Sequence, residues 1–423
     1  MPEIADARAL LEALAETGEV KSVEAQQQRR LHLHVAYGNA LIAARGGGAQ
    51  ETTEAFTRAR ESALRYGDAS ERMAIHFGLW IGGYVRGELS SMRAEAAAFL
   101  SEVEARPDSP EAGVAHRVTG ITQQFAGEYV EARDHLEKAL ALFRPGRDDE
   151  LAFRFGQDAG ISAMGNLAHV LWPLGEFDRA IALVDQMQTR IIGLTHARAL
   201  SFARLHTALF ELMRGDHSRA ARSAVELARL AREHDLTMYR SFGVFLEGWT
   251  KAGDGTPGCG LEDMRRGVDL LREQNVLMFD APIKIALAEA EAQAGDVDRA
   301  IAILDEALAT ADRLGYRAFE AELHRARGDT LLKRDPANPA PAEAAFLTAI
   351  AVAKQQGTRS FELRAALALA KLYQSTNRLL DAQAVLAPAI KGFAPTDELP
   401  EIAEAQALLV AIEGGAHVRH DPS

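Results

Sequence analysis

The sequence predicts an all-α protein built by stacking one repeated helical unit, and three observations support this fold class. Glycines recur every 40 residues (87 − 47 and 127 − 87), and the series resumes after one step of 48 residues. Its members are Gly47, Gly87, Gly127, Gly175, Gly215, Gly255 and Gly295, and Asp335 and Asn377 continue the phase. Ala, Leu and Arg are prominent, which favours helix, and apolar residues between the glycines recur at helical spacing. A fixed period of this size indicates a stacked repeat array.

Residues 113–144 show one unit clearly. A first helix (helix A) carries Val118, Ile121 and Phe125, and it is predicted to end at Gly127, because Gly readily adopts the positive φ that ends many helices. A second helix (helix B) carries an apolar stripe at helical spacing: Tyr129, Ala132, Leu136, Ala139, Leu140 and Phe143. One such hairpin cannot bury both of its apolar faces, so each unit must stack on its neighbours.

Small residues also recur in pairs that lie 12 residues apart. These pairs are Gly120 and Ala132, Gly248 and Gly260, Ala288 and Ala300, and Ala370 and Ala382. The spacing predicts that the two helices of a unit approach most closely at these residues.

The combined pattern resembles the tetratricopeptide repeat (TPR). One copy matches it at Gly120, Gly127, Glu128, Tyr129, Ala132, Leu136, Ala139 and Leu140. The period of 40 exceeds the usual ~34 residues of this family, which predicts longer helices or connections. The resemblance implies a right-handed α-solenoid of about nine TPR-like helix pairs with a period near 40 residues. Turns are expected near residues 47, 87, 127, 175, 215, 255, 295, 335 and 377.

Two departures from the period predict expanded loops within one continuous array. The step of 48 places about eight extra residues around 144–149, and Pro336, Pro339 and Pro341 exclude a continuous helix after residue 335. We expect the array to cover residues 1–395, starting with an orphan half-repeat helix at 4–17. A C-terminal capping helix is expected at 396–413 and a disordered tail at 414–423.

Three stretches show a closer resemblance. They are LAFRFGQDAG at residues 151–160, ELHRARG at 322–328 and SFELRAA at 360–366. They are similar to motifs in large bacterial signalling proteins that join a class III adenylate/guanylate cyclase domain to a P-loop ATPase domain and a C-terminal TPR region. That family usually has Pro at the position of Ala159. The resemblance covers most of this chain but only that C-terminal region, and it implies a sensor region without its enzyme.

Composition and charge exclude several function classes. Lys and Arg number 47 against 60 Asp and Glu, and the net charge of −13 disfavours nucleic-acid binding. The N-terminus lacks the pattern of a secretory signal and no apolar stretch reaches the ~20 residues of a membrane span, so no membrane insertion and a cytoplasmic location are expected. Cys259 is the only cysteine, which excludes an intrachain disulfide.

No residue pattern predicts catalysis, a cofactor or a metal. The P-loop pattern G-x-x-x-x-G-K-[ST] does not occur, and no Lys or Arg follows the Gly-rich run at 253–260 until Arg265, so we interpret it as a repeat turn. His32 and His34 would point to different sides of a helix, and the thirteen histidines form no ligand spacing. Cys259 is interpreted as an incidental thiol. An enzyme would need an acid–histidine pair inside the superhelix, and the sequence offers none, so the protein is predicted not to be an enzyme.

The inner face of the A helices is the surface with the most specific case for binding. Carrying the groove positions of the TPR family onto this sequence selects Tyr37, Phe77, Tyr84, Arg117, Phe125, His169, Trp172, Phe202, Phe242, Phe245 and Trp249. The last repeats offer Arg325, Asp329, Arg364 and Lys371 at such positions instead. The alternative interpretation, in which these rings pack between repeats, is favoured by the general burial of large apolar side chains. Trp172 and Trp249 are the strongest groove candidates.

The leading functional hypothesis is a non-catalytic TPR binding or scaffold module that recognises a protein or peptide in its concave groove. The alternative is the regulatory or sensor region of a nucleotide cyclase–ATPase signalling system that lacks its catalytic domains, with a cyclase or ATPase as partner. The sequence leaves open the identity of the ligand, the oligomeric state, and whether the chain is a stand-alone protein or a fragment.

Overall fold

The described residues of the protein form α-helices and no strand. The computed structural model describes residues 23–149, 151, 155, 157–253 and 258–418. In chain order the helices are α1 (Val23–Arg45), α2 (Gln50–Tyr66), α3 (Ala69–Arg86), α4 (Leu89–Val103), α5 (Pro110–Phe125), α6 (Tyr129–Leu142), α7 (Ala159–Leu174), α8 (Phe177–Arg190), α9 (Ala197–Arg214), α10 (His217–Glu233), α11 (Thr237–Ala252), α12 (Leu261–Glu273), α13 (Asp280–Gln293), α14 (Val297–Leu314), α15 (Glu320–Arg334), α16 (Ala340–Gln356), α17 (Arg359–Ser375), α18 (Leu379–Ile390) and α19 (Glu401–Val418).

Consecutive helices pack as hairpins, so that α1 to α18 make nine pairs and α19 closes the array. Helix A of the successive pairs ends at residues 45, 86, 125, 174, 214, 252, 293, 334 and 375, one to three residues before each predicted turn. The all-α solenoid and its period are therefore confirmed. The Gly255 turn and the orphan helix expected at 4–17 lie outside the described residues.

The periodic glycines end helix A in the left-handed conformation. Gly87, Gly127, Gly175 and Gly215 have φ values of 69°, 78°, 89° and 79°, and Asn377 replaces Gly with a φ of 61°. The residue after each of these five turns donates its N–H to a carbonyl five positions earlier, as from Glu88 to Gly83 at 2.8 Å. This bond satisfies a carbonyl that has no partner inside the helix, which explains why the position selects Gly.

The acid after the glycine has two structural roles. Asp216 and Asp296 cap helix B, since their carboxylates accept the N–H groups of Arg219 and Arg299 at 2.9 and 3.2 Å. Glu128 instead accepts a hydrogen bond from Arg93 of the preceding pair at 2.6 Å. The Gly–acid signature thus stabilises both the turn and the stacking of pairs.

The small residues 12 positions apart lie where the two helices of a pair meet. A Cβ atom on Gly248 would lie 2.6 Å from the Gly260 carbonyl oxygen, and one on Gly120 would lie 2.7 Å from Leu136 Cγ. Both distances are below normal contact, so the predicted close approach is confirmed at these two pairs.

The superhelix closes on itself, because early pairs contact pairs four to five positions later along the chain. The hydrogen bonds of this contact include Arg198 Nη2 to Ile42 O (3.0 Å), Leu277 N to Val85 O (2.8 Å), Arg317 N to Phe125 O (2.8 Å), Ser360 Oγ to Pro173 O (3.2 Å) and Arg364 Nη1 to Met213 O (3.0 Å). Each of these acceptors belongs to the last turn of helix A in one of the first five pairs, where carbonyls lack intrahelical partners. We call this set of contacts the seam.

The loop after α15 agrees with the sequence expectation, whereas the last helix is longer than expected. Five residues connect α15 to α16, as the prolines predict. Helix α19 begins at Glu401 and continues to Val418, beyond the predicted end at 413. Gly414 and Gly415 each weaken a helix by about 0.5–1 kcal/mol but do not stop it. None of the helices in the described part of the chain is long and apolar enough to cross a membrane.

Replacing Gly248 by Ala should lower the free energy of unfolding by about 2 kcal/mol, because overpacking a closed contact costs about 1–3 kcal/mol. The new Cβ would also lie 2.8 Å from the backbone nitrogen of Met264. Gly113→Ala is the matched control, since its Cβ would meet nothing closer than 3.6 Å and Ala favours a helix interior by about 1 kcal/mol. Urea denaturation measures both variants, and equal stability of the two would contradict the close approach.

Candidate functional site

The concave face of the later pairs encloses a chamber of about 390 Å³. Its walls are mainly the A helices of pairs five to nine, namely α9, α11, α13, α15 and α17, together with α19. Charged side chains of both signs line it: Glu289, Glu322, Asp329, Glu401 and Glu404, and Arg214, Arg325, Arg364 and Lys371. A concave surface of this kind, with charges held on rigid helices, is a candidate ligand-binding site.

Arg325 organises one wall of the chamber. Its guanidinium donates to Glu322 at 3.1 Å, to Asp329 at 2.6 Å and to Glu289 on the neighbouring pair at 3.0 Å. The guanidinium is largely buried, whereas Asp329 and Glu289 keep 48 % and 45 % of their side chains exposed. Arg325 therefore fixes two accessible carboxylates on the chamber surface.

Two further arginines connect the chamber to the seam. Arg364 donates to Glu401 at 2.8 Å and also makes the seam bond to Met213 O. Arg214 donates to Glu211 at 2.8 Å and pairs with Glu398, and its guanidinium lies 5.2 Å from the centre of the Trp172 ring. The shape of the chamber thus depends on contacts between distant pairs.

Lys371 and Glu404 form the accessible ion pair of the chamber. Their charged atoms are 2.7 Å apart, and about half of each side chain is exposed. Trp249, which also lines the chamber, stacks on His217 with ring centres 4.0 Å apart. The His217 Nδ1–H donates a hydrogen bond to the Trp249 carbonyl oxygen at 3.0 Å. The lining of the chamber therefore combines an aromatic ring with a mixed set of charges.

Of the eleven sequence-predicted groove residues, Trp249 lines the chamber. Phe77, Tyr84 and Phe202 line a second cavity, and Phe242 lines a third, smaller one. Buried among protein side chains are Arg117, Phe125, His169, Trp172 and Phe245. Tyr37 is half-buried on α1.

Most of the predicted rings are therefore buried among protein side chains, and their role in partner binding stays a prediction. Several bridge distant pairs: the ring centres of Phe125 and Tyr316 are 4.8 Å apart, and those of Tyr84 and Phe279 are 6.5 Å apart. A partner-binding role stays a prediction for Trp249, which is the one of the eleven that lines the chamber.

Burial changes the proton affinity of three interior groups. It raises the pKa of Glu211 to about 7, against the opposing effect of Arg214. It lowers the pKa of His169 to about 4 and that of His206 well below its ordinary value, so that this histidine pair is neutral. Neither histidine contacts a carboxylate, and His169 donates instead to the His206 carbonyl at 2.9 Å.

The described residues contain no cluster of three or more metal-ligating side chains. Two histidine–carboxylate contacts, His76 with Glu95 and His32 with Glu71, lie between helices away from both large cavities. Neither pair lines the chamber or the second large cavity.

Sequence reasoning missed Glu289, Glu322, Arg214, Glu401 and Glu404 as chamber residues. The period itself could have found Glu289, which follows Trp249 by 40 residues (289 − 249) and precedes Asp329 by the same step. Glu401 and Glu404 lie on the closing helix, outside the periodic register. Their contacts with Arg364 and Lys371 on α17 place them in the chamber.

Comparison with known proteins supports the fold and leaves the ligand open. No protein-family model matches the sequence. An uncharacterised protein of Rhizobium meliloti (strain 1021) is 26 % identical over 366 residues, which are 85 % of this chain. The chain spans about a third (35 %) of the length of this curated relative.

Two solved structures are similar in fold. A Rap protein complexed with Competence and Sporulation Factor superposes with a TM-score of 0.54 at 12 % identity, covering 92 % of this chain and 98 % of that one. The human IFIT1 dimer with m7Gppp-AAAA superposes with a TM-score of 0.50 at 13 % identity, and the match covers 97 % of this chain and 95 % of that one. These likenesses establish a TPR-like helical solenoid. Because the second was solved with m7Gppp-AAAA, the prediction that this chain binds no nucleic acid rests on its charge alone.

Glu211 should destabilise the protein as the pH rises from about 4.5 to about 7, so the stability of Glu211→Gln relative to the wild type should increase over this range. The lowered pKa values of His169 and His206 act in the opposite direction, but equally in both proteins. A carboxyl whose pKa is raised on folding binds its proton more tightly in the folded state, so ionisation at higher pH costs folded-state stability. Thermal unfolding of both proteins across this pH range measures the effect. Parallel curves for the wild type and Glu211→Gln would show that Glu211 is not the group responsible.

Proposed function

We propose that this protein is a non-catalytic binding module that holds an extended basic segment of a protein or peptide in the chamber. The observation that carries this proposal is the set of accessible charges on the concave face. Glu289, Asp329 and Glu404 present three half-exposed carboxylates, against the single half-exposed ammonium of Lys371. The chamber charges that meet a ligand are therefore mainly negative.

The arrangement favours a peptide over a compact ligand. The carboxylates lie on α13, α15 and α19, so a ligand that reaches all three must extend across several helices. Each carboxylate has a buried or half-exposed cation behind it, which holds it in place before binding and reduces the ordering that binding requires. Trp249 adds an apolar surface for a side chain of the same segment.

The test uses fluorescent twelve-residue peptides that carry net charges of about +3, 0 and −3, with binding followed by anisotropy. The basic peptide should bind most tightly. The double variant Glu289→Gln, Asp329→Asn should weaken its binding at least ~10-fold, since hydrogen bonds to charged groups contribute about 1.5–3 kcal/mol each. Lys371→Gln should strengthen it, because the variant removes the half-exposed cation.

The matched control exchanges a surface ion pair outside the chamber. Arg229 and Glu233 on α10 are also about half exposed and 2.6 Å apart. Arg229→Glu combined with Glu233→Arg should leave peptide affinity unchanged. Equal binding of the acidic and basic peptides, or equal loss in the control and the chamber variant, would refute the proposal.

A second candidate function is the sensor region of a larger signalling protein with a nucleotide cyclase or ATPase as partner. The supporting observation is that the curated relative is about three times as long as its matched part. A reading frame for a cyclase or a P-loop ATPase, fused to or next to this one, would favour it. A cyclase encoded there whose turnover does not change when the purified chain is added would count against it.

A further inference from the structure

A second cavity lies inside the superhelix, apart from the chamber. It has a volume of about 230 Å³. We call it the inner pocket; its lining includes Phe77, Tyr84, Phe155, Gln157, Arg198 and Phe202. Phe77 and Tyr84 come from pair two and Arg198 and Phe202 from pair five, so the inner pocket bridges two turns of the superhelix. Five Phe and Tyr rings line it, since Tyr239 joins the four named above, and the charged residues Arg45 and Asp235 also belong to the lining.

A buried cation with unused donors lies against this pocket. Arg117 is 1 % exposed, and its Nη1 donates to the Gln157 side-chain oxygen at 2.8 Å. Its guanidinium carbon is 5.7 Å from the centre of the Phe77 ring. Its Nε and Nη2 atoms have no hydrogen-bond partner among the described residues. Both neighbours of this guanidinium, Gln157 and Phe77, line the inner pocket.

No carboxylate among the described residues accepts a hydrogen bond from Arg117. Asp158 is the carboxylate that most favours the charged form of Arg117 and so raises its pKa. Both oxygens of Asp158, however, accept hydrogen bonds from Arg190, at 3.0 and 2.7 Å. Burial lowers the pKa of Arg117 to about 10, which still leaves it protonated at neutral pH. A buried, hydrogen-bonded cation without a counter-charge is strongly unfavourable, so the site lacks an anion.

Arg198 adds a second guanidinium to the same pocket. It lines the cavity directly from the start of α9, and its Nη2 makes the seam bond to Ile42 O at 3.0 Å. Burial also lowers its pKa. Two cations beside aromatic walls match a ligand that carries one negative group on an apolar body.

We propose that the inner pocket binds a small apolar carboxylic acid, with its body against Phe77, Phe155 and Phe202 and its carboxylate at the Gln157 end. The side-chain oxygen of Gln157 occupies the position in which a carboxylate oxygen would accept from Arg117. An engineered apolar cavity of about 150 Å³ binds benzene, so this larger one accommodates a ring or a short acyl chain with a carboxylate. Apolar walls disfavour hydrated polyanions such as nucleotides.

Isothermal titration calorimetry with 3-phenylpropionate and with its uncharged amide tests this proposal. The acid should bind the wild-type protein with a Kd below ~5 mM, the range expected for a ligand of this size. The amide should bind at least ~10-fold more weakly, because it cannot form charge-assisted hydrogen bonds with the guanidinium groups.

Two variants test whether Arg117 is the cation that binds the carboxylate of the acid. Arg117→Met should reduce the affinity for the acid at least ~10-fold without lowering the melting temperature of the free protein, since an apolar side chain of similar size replaces an unpaired buried charge. Gln157→Glu should cause the same loss and raise the melting temperature, because the new carboxylate pairs with Arg117. Lys371→Gln, in the chamber, is the control and should leave the affinity for the acid unchanged.

Three results would each overturn the proposal. They are equal affinities for the acid and the amide, an unchanged affinity for the acid in both pocket variants, and no binding to the wild type with a Kd below ~5 mM. Since the chamber variants act on peptide binding and the pocket variants on acid binding, failure of one proposal does not affect the other.

Discussion

The hydrogen bonds of the seam are the interaction on which the rest of the structure depends. Carbonyls at the end of helix A have no partner inside their own helix, and in the first five pairs they accept from donors on pairs that follow much later. The chain separation is 187 residues for Ser360 with Pro173 and 151 residues for Arg364 with Met213. In an open solenoid each repeat contacts only its neighbours, and stability is a sum of local terms. Here early pairs and pairs four to five positions later stabilise each other, and one turn of the superhelix covers the next at both large cavities.

Two buried arginines differ in whether carboxylates of the chain compensate their charge. In the chamber, Arg325 has acceptors on three carboxylates, so its charge is compensated within the chain. In the inner pocket, Arg117 has one neutral acceptor and two unused donors. A compensated network fixes the positions of groups that face a ligand, whereas an uncompensated cation gains free energy from a ligand that supplies the missing charge. The two cavities are therefore suited to different ligands.

Local features of this fold could be predicted from the sequence, whereas contacts between distant pairs could not. Many of the turns were predictable because a left-handed residue follows the end of helix A, as at Gly87, Gly175 and Asn377, and Gly or Asn meets that requirement with little strain. The close approach of Gly248 and Gly260 was predictable from their spacing. The seam depends on the pitch of the superhelix, which accumulates from small rotations between pairs and leaves no mark at fixed sequence intervals. For the same reason, the sequence could select Phe125 as an inward-facing residue but could not indicate that Tyr316 would cover it.

The seam also constrains how this protein can change its length. Loss or gain of one helix pair in an open array removes or adds one interchangeable unit. In this chain it would shift every later donor by one pair, so that Arg317 would no longer face Phe125 and Ser360 would no longer face Pro173. Gly127 shows how close the fit is, since a Cβ there would lie 2.6 Å from Gln356 Nε2. The seam therefore fixes the number of helix pairs between the residues that it joins, and duplication of a pair would disrupt it. Insertions and deletions should occur in the loops instead.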